Sequence, residues 1–393
     1  MVVEFSMHIV ADDNIPLLNA FFAGHGRLST LPGRQLKKTD LMDADVLLVR
    51  SVTRVDELLL SGTPVRFVGT CTIGTDHLDL AWLASAGIQV ASAPGCNARG
   101  VVEYVLSCLL TLAERTGQRW QERVVGIVGV GQVGSRLAAT LNALGVRTLL
   151  CDPLRAEAGE SGFVGLDELL AWADVVSCHV PLSVSGPHST RHLLGEQRLQ
   201  SLRQGAWLIN SSRGQVIDAA ALEQVLAQRD DLQVALDVWE EEPLVSSSLA
   251  ARCALATPHV AGYSLDGKLR GTEQIYQAFC DYLGKPYQHQ LASLAPLIGQ
   301  ARLELAASPP ADWALQKALR CVYDVRDDDA RMRQMLEQAQ TAPDSAAACR
   351  VGFDRLRKNY PLRREAPLLS IGLSSTASAD LKTSLQAAGF SLD

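Results

Sequence analysis

The stretch 124–134, VVGIVGVGQVG, constrains this chain more than any other. Its apolar residues from Val124 to Val130 read as a buried strand that runs into a turn. In that turn Gly129, Gly131 and Gly134 are spaced G-x-G-x-x-G, and a helical pattern begins near Gln132. In a strand–turn–helix unit of this kind the first glycine permits the tight turn, the second lets a pyrophosphate approach the backbone, and the third lets helix and strand pack closely. The helix N-terminus then offers unpaired N–H groups and a positive dipole end to the pyrophosphate. Spacing alone is a weak signal, because glycine-rich turns punctuate many α/β chains. A second mark strengthens it. A strand pattern over 147–151 ends at Asp152, 23 residues beyond Gly129, where a carboxylate can bind ribose hydroxyls and repel a 2′-phosphate. The expectation is a dinucleotide site that favours NAD over NADP.

At 393 residues the chain has room for two or three domains, and 47% hydrophobic with 20% charged residues is an ordinary globular composition. A net charge of −7 opposes general nucleic-acid binding. The nine cysteines are scattered and form no C-x-x-C pair, which fits free thiols in a reducing cytosol better than a disulfide framework, and there is no metal-ligand spacing. No apolar run is long enough to span a bilayer. The opening MVVEFSMHIVADD lacks a basic segment and meets acids early, so it does not read as a secretory signal. The first strand is expected to begin near His8, which makes residues 1–6 an extension and Met7 a candidate start.

The first hundred residues alternate strand candidates (8–11, 46–49, 67–69, 89–91) with helix candidates (15–23, 55–60, 79–86), the pattern of a parallel sheet covered by helices. Ligands bind such sheets at the carboxyl ends of the strands. Two hydroxyl-rich loops fall there, Arg50-Ser51-Val52-Thr53-Arg54 and the segment 69–77 containing Thr72. Arginine makes forked contacts to carboxylate or phosphate, so the first loop reads equally as an anion site and as solvated loop chemistry. An apolar helix over 101–114 leads into a second alternation, with strands at 124–130, 148–151, 175–179, 207–210, 234–237 and 254–257 and helices at 132–144, 166–172, 196–202 and 218–228. Six strands with intervening helices match a doubly wound dinucleotide fold. A helix over 265–283 has spacing suited to packing back on the first sheet. Beyond Pro286 the character changes: 306–310 reads as a linker, 341–348 as a small-residue loop, and 368–373 and 378–388 as a strand and a helix. The basic residues Arg355, Arg357, Lys358, Arg363 and Arg364 read as a solvated face, with an anion across a subunit boundary as the lesser alternative.

Oxidising an alcohol by hydride transfer needs a base for the hydroxyl proton and a cation to hold the substrate and polarise the forming carbonyl. The later strand ends offer both. Arg213 follows the strand 207–210, Asp237 ends the next strand, Glu242 lies in the acidic run after it, and His259 follows the last strand. Histidine exchanges a proton near neutrality. Taken singly, each of these four reads more readily as a structural or surface residue. Together, at the ends of consecutive strands beside a dinucleotide turn, they read as a site. His179 also ends a strand and is expected to line the cofactor cleft.

These motifs together resemble the D-2-hydroxyacid dehydrogenase family, through GIVGVGQVG, the H-x-P-L turn at His179, LINSSRGQVID, ALDVWEEEP and TPHVAGYS. ADDNIP, LLVRSVT, FVGTCTIGTDHLD, GYSLDGKLRGT, VYDVRDDDA and LRKNYPLRRE are similar to a branch of that family carrying an added C-terminal dimerisation module. The resemblance implies a doubly wound dinucleotide-binding domain (99–264) inserted in a flavodoxin-like substrate domain (1–98 and 265–290), with a small α+β module at 291–393 that pairs the chain into a homodimer. It implies a catalytic set of Arg213, Glu242 and His259, with His259 as acid/base, and substrate contacts from Ser51, Thr72 and Tyr263; beside that, Arg50 is expected to hold the substrate phosphate together with Ser51. It assigns NAD to Gly129, Gly131, Gln132, Val133, Gly134, Asp152, Val180, Ser211, Asp237 and Gly262. Val180 stands where some relatives carry threonine, and Glu241 adds charge beside Glu242 where others have glycine. The implied reaction is NAD-linked oxidation of 4-phosphoerythronate at C2, a step toward pyridoxal phosphate. The alternatives are another phosphorylated 2-hydroxy acid such as 3-phosphoglycerate, or an NAD-sensing regulator without turnover. Neither nucleic acid nor membrane is an expected partner.

Overall fold

A computed structural model describes residues 7–294, 301–305, 310–374 and 377–393. The extension expected at 1–6, and all but Pro310 of the linker expected at 306–310, lie outside the described residues. The chain divides into two compact units, Met1–Asn97 with Ser264–Gly299, and Ala98–Tyr263 with Gln300–Asp393.

The first unit is built on a five-stranded parallel sheet of β1 (His8–Asp12), β2 (Arg27–Leu31), β3 (Val46–Val49), β4 (Phe67–Thr70) and β5 (Gln89–Ser92). The strand order is β2-β1-β3-β4-β5, the flavodoxin-like order, and it reverses between β1 and β3. β1, β3 and β4 are buried throughout, as central strands of a sheet covered on both faces must be. β2 was not expected. Its sequence RLSTL is half-exposed and carries no clean alternation, which is how an edge strand escapes notice in sequence. The helix Leu265–Leu283 closes one face, with Phe279 meeting Phe67 at 5.5 Å and Phe22 at 5.7 Å between ring centroids.

The second unit holds a six-stranded parallel sheet of β6 (Val125–Val128), β7 (Thr148–Cys151), β8 (Val175–Cys178), β9 (Trp207–Asn210), β10 (Gln233–Leu236) and β11 (Leu255–Ala256), in the order β11-β10-β9-β8-β6-β7. The strand that would follow β7 in a doubly wound sheet is reduced to a single bridge between Leu150 and Phe163. The order reverses at β6, so the crevice at its carboxyl end lies at the glycine turn. The helix Ala98–Thr116 is buried along most of its length, in keeping with a sequence that is apolar on most faces.

The same unit contains a three-stranded parallel sheet of β12 (Ala301–Glu304), β13 (Leu369–Gly372) and β14 (Ser391–Leu392), in that order. Three helices, Ala311–Val322, Val325–Gln340 and Ser345–Lys358, precede β13, and Ala379–Ala387 follows it. The stretch 341–348, expected as a loop, instead begins a helix at Ser345. Asp344 accepts a hydrogen bond from the Ala347 N–H, and the alanines behind that cap are the strongest helix formers. The helix Val325–Gln340 is pinned by buried bonds to the helix Ala98–Thr116 and to β11 of the six-stranded sheet. The Val325 N–H donates to Ser107 Oγ at 2.9 Å and the Ala256 N–H to Asp329 Oδ1 at 2.8 Å. The solvated basic face holds for Arg355 and Lys358, which are exposed, and is corrected at its buried member. Arg363 is only 6% exposed, stacks 3.9 Å from the centre of the Tyr323 ring and pairs with buried Glu103 at 3.1 Å.

Candidate active site

The glycine turn follows β6. Gly129 has φ +89, a left-handed conformation that disfavours side chains, and a Cβ on it would lie 2.8 Å from the His179 carbonyl and 2.7 Å from Val180 Cγ1. A Cβ on Gly134 would lie 2.0 Å from the Gly129 carbonyl oxygen, so the helix Gln132–Ala143 can start only against a bare backbone. Above Gly131 there is open space. Two positions are closed by protein and one is left open, which is the cradle a pyrophosphate requires. Gln132 and Val133 open the helix. Asp152, just beyond β7, accepts from the Val130 N–H at 2.9 Å and the Arg155 N–H at 3.2 Å. Its carboxylate is therefore fixed at the rim of the glycine turn. His179 is bonded to Ser177 Oγ at 2.8 Å, and burial pushes its pKa down to about 4. It is a neutral wall of this cleft and not a proton shuttle.

The turn after β9 is held by Asn210. Its Nδ2 donates to the Arg213 carbonyl at 2.9 Å, and its Oδ1 accepts from the Ser212 N–H at 3.1 Å and hydroxyl at 2.8 Å. Ser211 Oγ is buried with no hydrogen-bond partner in the protein, which fits a hydroxyl kept for a ligand. Gly214 presses this turn onto the next one: a Cβ there would lie 2.0 Å from the Trp239 carbonyl. Arg213 is thereby set against the loop that carries Glu242.

Asp237, at the end of β10, is 1% exposed. Its carboxylate accepts from Thr257 Oγ1 at 2.7 Å, the Val260 N–H at 2.8 Å and the Ala261 N–H at 2.9 Å, while its carbonyl accepts from the His259 N–H at 2.7 Å. Asp237 thus shapes the turn in which His259 takes φ +58 and which leads to Gly262. Burial raises the Asp237 carboxyl above its ordinary range. Glu242 behaves in the opposite way. Burial would raise it, but the charge and hydrogen bond of His259, the Trp239 N–H and the charge of Arg357 together hold it below the ordinary value. Its Oε1 accepts from the Trp239 N–H at 2.8 Å and its Oε2 contacts His259 Nδ1 at 2.6 Å. With Nδ1 tied to a carboxylate, the ring is oriented and Nε2 is the ring nitrogen that Glu242 does not hold. The 17-residue gap between Glu242 and His259 hid this contact in the sequence, and the fold closes it. Tyr263 meets Tyr360 edge-on at 5.5 Å and has the Arg357 guanidinium 5.8 Å from its ring centre.

In the first unit, Arg50 and Ser51 follow β3, and Thr72 follows β4, its neighbour in the sheet. The Cys71 N–H donates to the Val49 carbonyl at 2.9 Å, and the Thr72 hydroxyl bonds buried Thr70 at 2.8 Å. Sequence reasoning missed two residues. Lys268, half-buried in the same unit, has its pKa lowered first by burial and then by the Arg50 charge. Arg357, read as solvated, lies in the second unit with Tyr263 and Glu242. Neither carried a signal in sequence: a lysine early in a helix and an arginine in a basic run have the form of surface residues.

Fold and site together define an NAD-dependent dehydrogenase of 2-hydroxy acids: residues 110–261 match the NAD binding domain of the D-isomer specific 2-hydroxyacid dehydrogenases. Residues 296–389 match a domain of unknown function, DUF3410. The chain belongs to the erythronate-4-phosphate dehydrogenase family. It is 57% identical over 372 residues to the erythronate-4-phosphate dehydrogenase of Pseudomonas entomophila strain L48, covering 94% of this chain and 95% of that one. To that of Pseudomonas syringae pv. syringae strain B728a it is 56% identical, covering 95% and 97%. Among solved structures, 3-phosphoglycerate dehydrogenase of Entamoeba histolytica with bound NAD+ superposes with TM-score 0.63 at 22% identity, covering 73% of this chain and 98% of that one. D-lactate dehydrogenase of Aquifex aeolicus, complexed with NAD and lactic acid, gives 0.61 at 24% identity, covering 70% and 95%. These two share the fold. Their coverage leaves over a quarter of this chain without a counterpart in them.

Proposed function

We propose that the protein oxidises 4-phospho-D-erythronate at C2 to (R)-3-hydroxy-2-oxo-4-phosphooxybutanoate, with NAD as the oxidant. One observation carries the chemistry: a buried carboxylate, Glu242, bonded at 2.6 Å to His259 Nδ1 at the strand ends of a sheet whose glycine turn fits a pyrophosphate. The substrate follows from the curated relatives of that name, which match this chain over nearly its whole length.

The cradle of Gly129, Gly131, Gln132, Val133 and Gly134 suits the pyrophosphate and Asp152 suits the adenosine ribose. Val180, Ser211, Asp237 and Gly262 line the remaining cofactor surface, Asp237 by shaping the backbone at Val260 and Ala261. NAD, when bound, supplies the hydride acceptor. His259 takes the C2 hydroxyl proton on Nε2 as the C2–H electron pair leaves as hydride. Glu242 holds the ring in the tautomer that exposes Nε2 and offsets the charge the ring gains. Arg213 clamps the carboxylate and polarises the C2 oxygen as it becomes a carbonyl. Arg50 and Ser51 take the phosphate, and Thr72 and Tyr263 position the sugar-acid chain. The places of Arg50 and Ser51 at the sheet's switch point and the nearby Lys268 cation support an anion there.

The C-terminal residues 291–393 pair two chains. Exposed Trp313, Val351 and Leu362 support that role, and light scattering tests it. The nine free thiols, eight of them buried, support a reducing cytosolic setting, and among the described residues no helix is long and apolar enough to cross a membrane.

The decisive assay follows NAD reduction with 4-phospho-D-erythronate and 3-phosphoglycerate in parallel, adding a 2-oxo acid to recycle any cofactor that co-purifies. Strong preference for the erythronate is expected. Preference for phosphoglycerate would overturn the substrate, and turnover of neither would overturn the reaction.

A further inference from the structure

The helix Ser345–Lys358 rests on the loop that carries the catalytic carboxylate. Cys349, near its start, receives the Val245 N–H at 3.5 Å and lies 3.9 Å from the Pro243 and Val245 carbonyls. Phe353, one turn on, is fully buried. Arg357, one turn further along the same face, has its guanidinium 5.8 Å from the Phe353 ring centre and 5.8 Å from that of Tyr263. It is hydrogen-bonded to Tyr263, its charge acts on Glu242 and Asp237, and its Nε is buried without a hydrogen-bond partner. One helix face therefore runs from the backbone beside Glu242, at Cys349, to a cation against Tyr263, at Arg357, whose charge acts on Glu242. This helix belongs to the C-terminal segment matched by the domain of unknown function.

We propose that Arg357 is a positioning residue for the Glu242–His259 pair: the C-terminal module seats a helix on the Glu242 loop and sets a cation against Tyr263, fixing the carboxylate that orients His259 and offsetting part of its charge. The inference rests on the reading of His259 as the base. A carboxylate 2.6 Å from an imidazole stabilises the charge the ring gains in the transition state, and the strength of that pull depends on what else the carboxylate faces. A second cation acting on the same carboxylate moderates that pull. The other charged groups around the pair are accounted for. Asp237 lies beneath the His259 turn with its oxygens taken by Thr257, Val260 and Ala261. Glu240 turns away to His192 at 2.5 Å, and Asp328 sits behind Tyr360, whose hydroxyl donates to it at 2.8 Å. Arg213 approaches from the β9 turn, Glu241 follows Glu240 in the loop, and Arg363 donates to the Ala261 carbonyl at 3.2 Å.

The test compares Arg357→Gln, Arg357→Lys and Cys349→Ala in the full-length protein, reading kcat and KM across pH together with melting temperature. Arg357→Gln is expected to move the acid limb of kcat/KM upward by about half to one pH unit, a roughly three- to tenfold loss on the acid side that shrinks on the alkaline plateau. Arg357→Lys, which keeps the cation, is expected to restore the wild-type limb. Cys349→Ala loosens the packing without altering charge and is expected to lower the melting temperature with the limb in place. A folded Arg357→Gln enzyme with the wild-type pH profile overturns the proposal. So does an Arg357→Lys enzyme whose limb moves, which keeps the test decisive even where the glutamine variant does not fold. His259→Ala separates the two failures: if it retains turnover, the base assignment itself has fallen; if it is inactive while Arg357→Gln is unaltered, only the role of Arg357 has fallen.

Discussion

The two larger parallel sheets of this protein end in opposite kinds of chemistry. At the ends of β9, β10 and β11 the polar groups bind one another: Asn210 ties the Arg213 turn, Asp237 takes three donors, and Glu242 takes the Trp239 N–H and His259. At the ends of β3 and β4 stand an arginine and hydroxyls, with a lysine whose charge Arg50 disfavours. The first arrangement is built before any ligand arrives, as a proton-transfer group must be if its geometry is to cost nothing at the moment of reaction. The second concentrates positive charge that an anion would relieve. On the proposed function, the strand ends of one sheet are organised for reaction and those of the other for recognition.

That contrast fails or holds on kinetics. His259→Ala should lower kcat by about three orders of magnitude with little change in KM, because the acid/base group acts mainly in the transition state. Retained turnover in steady-state assays would place the proton elsewhere. Arg213→Lys keeps charge but loses the planar fork, and should cost about a hundredfold in kcat/KM. An equal loss for a substrate analogue lacking the carboxylate would show that the clamp acts on the C2 oxygen alone. Arg50→Ala should leave kcat nearly intact and lower the preference for phosphorylated over free erythronate by roughly ten- to a hundredfold, the worth of one charge-assisted contact. If kcat falls with selectivity unchanged, the recognition edge takes part in the reaction and the contrast is broken.

How much of this was visible in sequence follows the same division. The dinucleotide turn was legible because much of its constraint is local: Gly129 takes a left-handed φ, and Gly134 is demanded by the Gly129 carbonyl five residues before it. The central strands were legible because burial on both faces leaves continuous apolar runs, whereas β2, half-exposed at an edge, left no such run. The catalytic residues could be placed at strand ends, but the 2.6 Å contact of Glu242 with His259 depends on Asp237 folding the 257–261 turn beneath it. The helices between 311 and 358 were missed because their sequences are rich in charge and the apolar stripe is narrow. In the second of them Met332, Met335 and Leu336 carry most of the burial. Arg357 and Arg363 were misread for a related reason, since a basic run looks the same whether its members meet water or buried acids.

The smallest expected effect divides the reaction edge itself, between its two buried carboxylates. Asp237 is raised from 3.8 in the folded protein, first by burial, so its contribution to stability is present below that value and is lost as pH rises through its folded pKa. Glu242 is held below 4.5, because the His259 and Arg357 charges and the Trp239 N–H outweigh its burial. Its contribution is present above 4.5 and is lost as pH falls through its folded pKa. On acidification the two therefore work against each other. Melting temperature measured against pH should fall less steeply on the acid side in Glu242→Gln than in wild type, and more steeply in Asp237→Asn, each by about a few degrees over the titration. The constant loss from the altered hydrogen bonds displaces each curve without changing its slope, so the slopes isolate the titrations. Curves parallel to wild type in both variants would mean that neither carboxylate changes its proton affinity on folding, and the distinction between a carboxylate that shapes the turn and one that works with the base would then rest on kinetics alone.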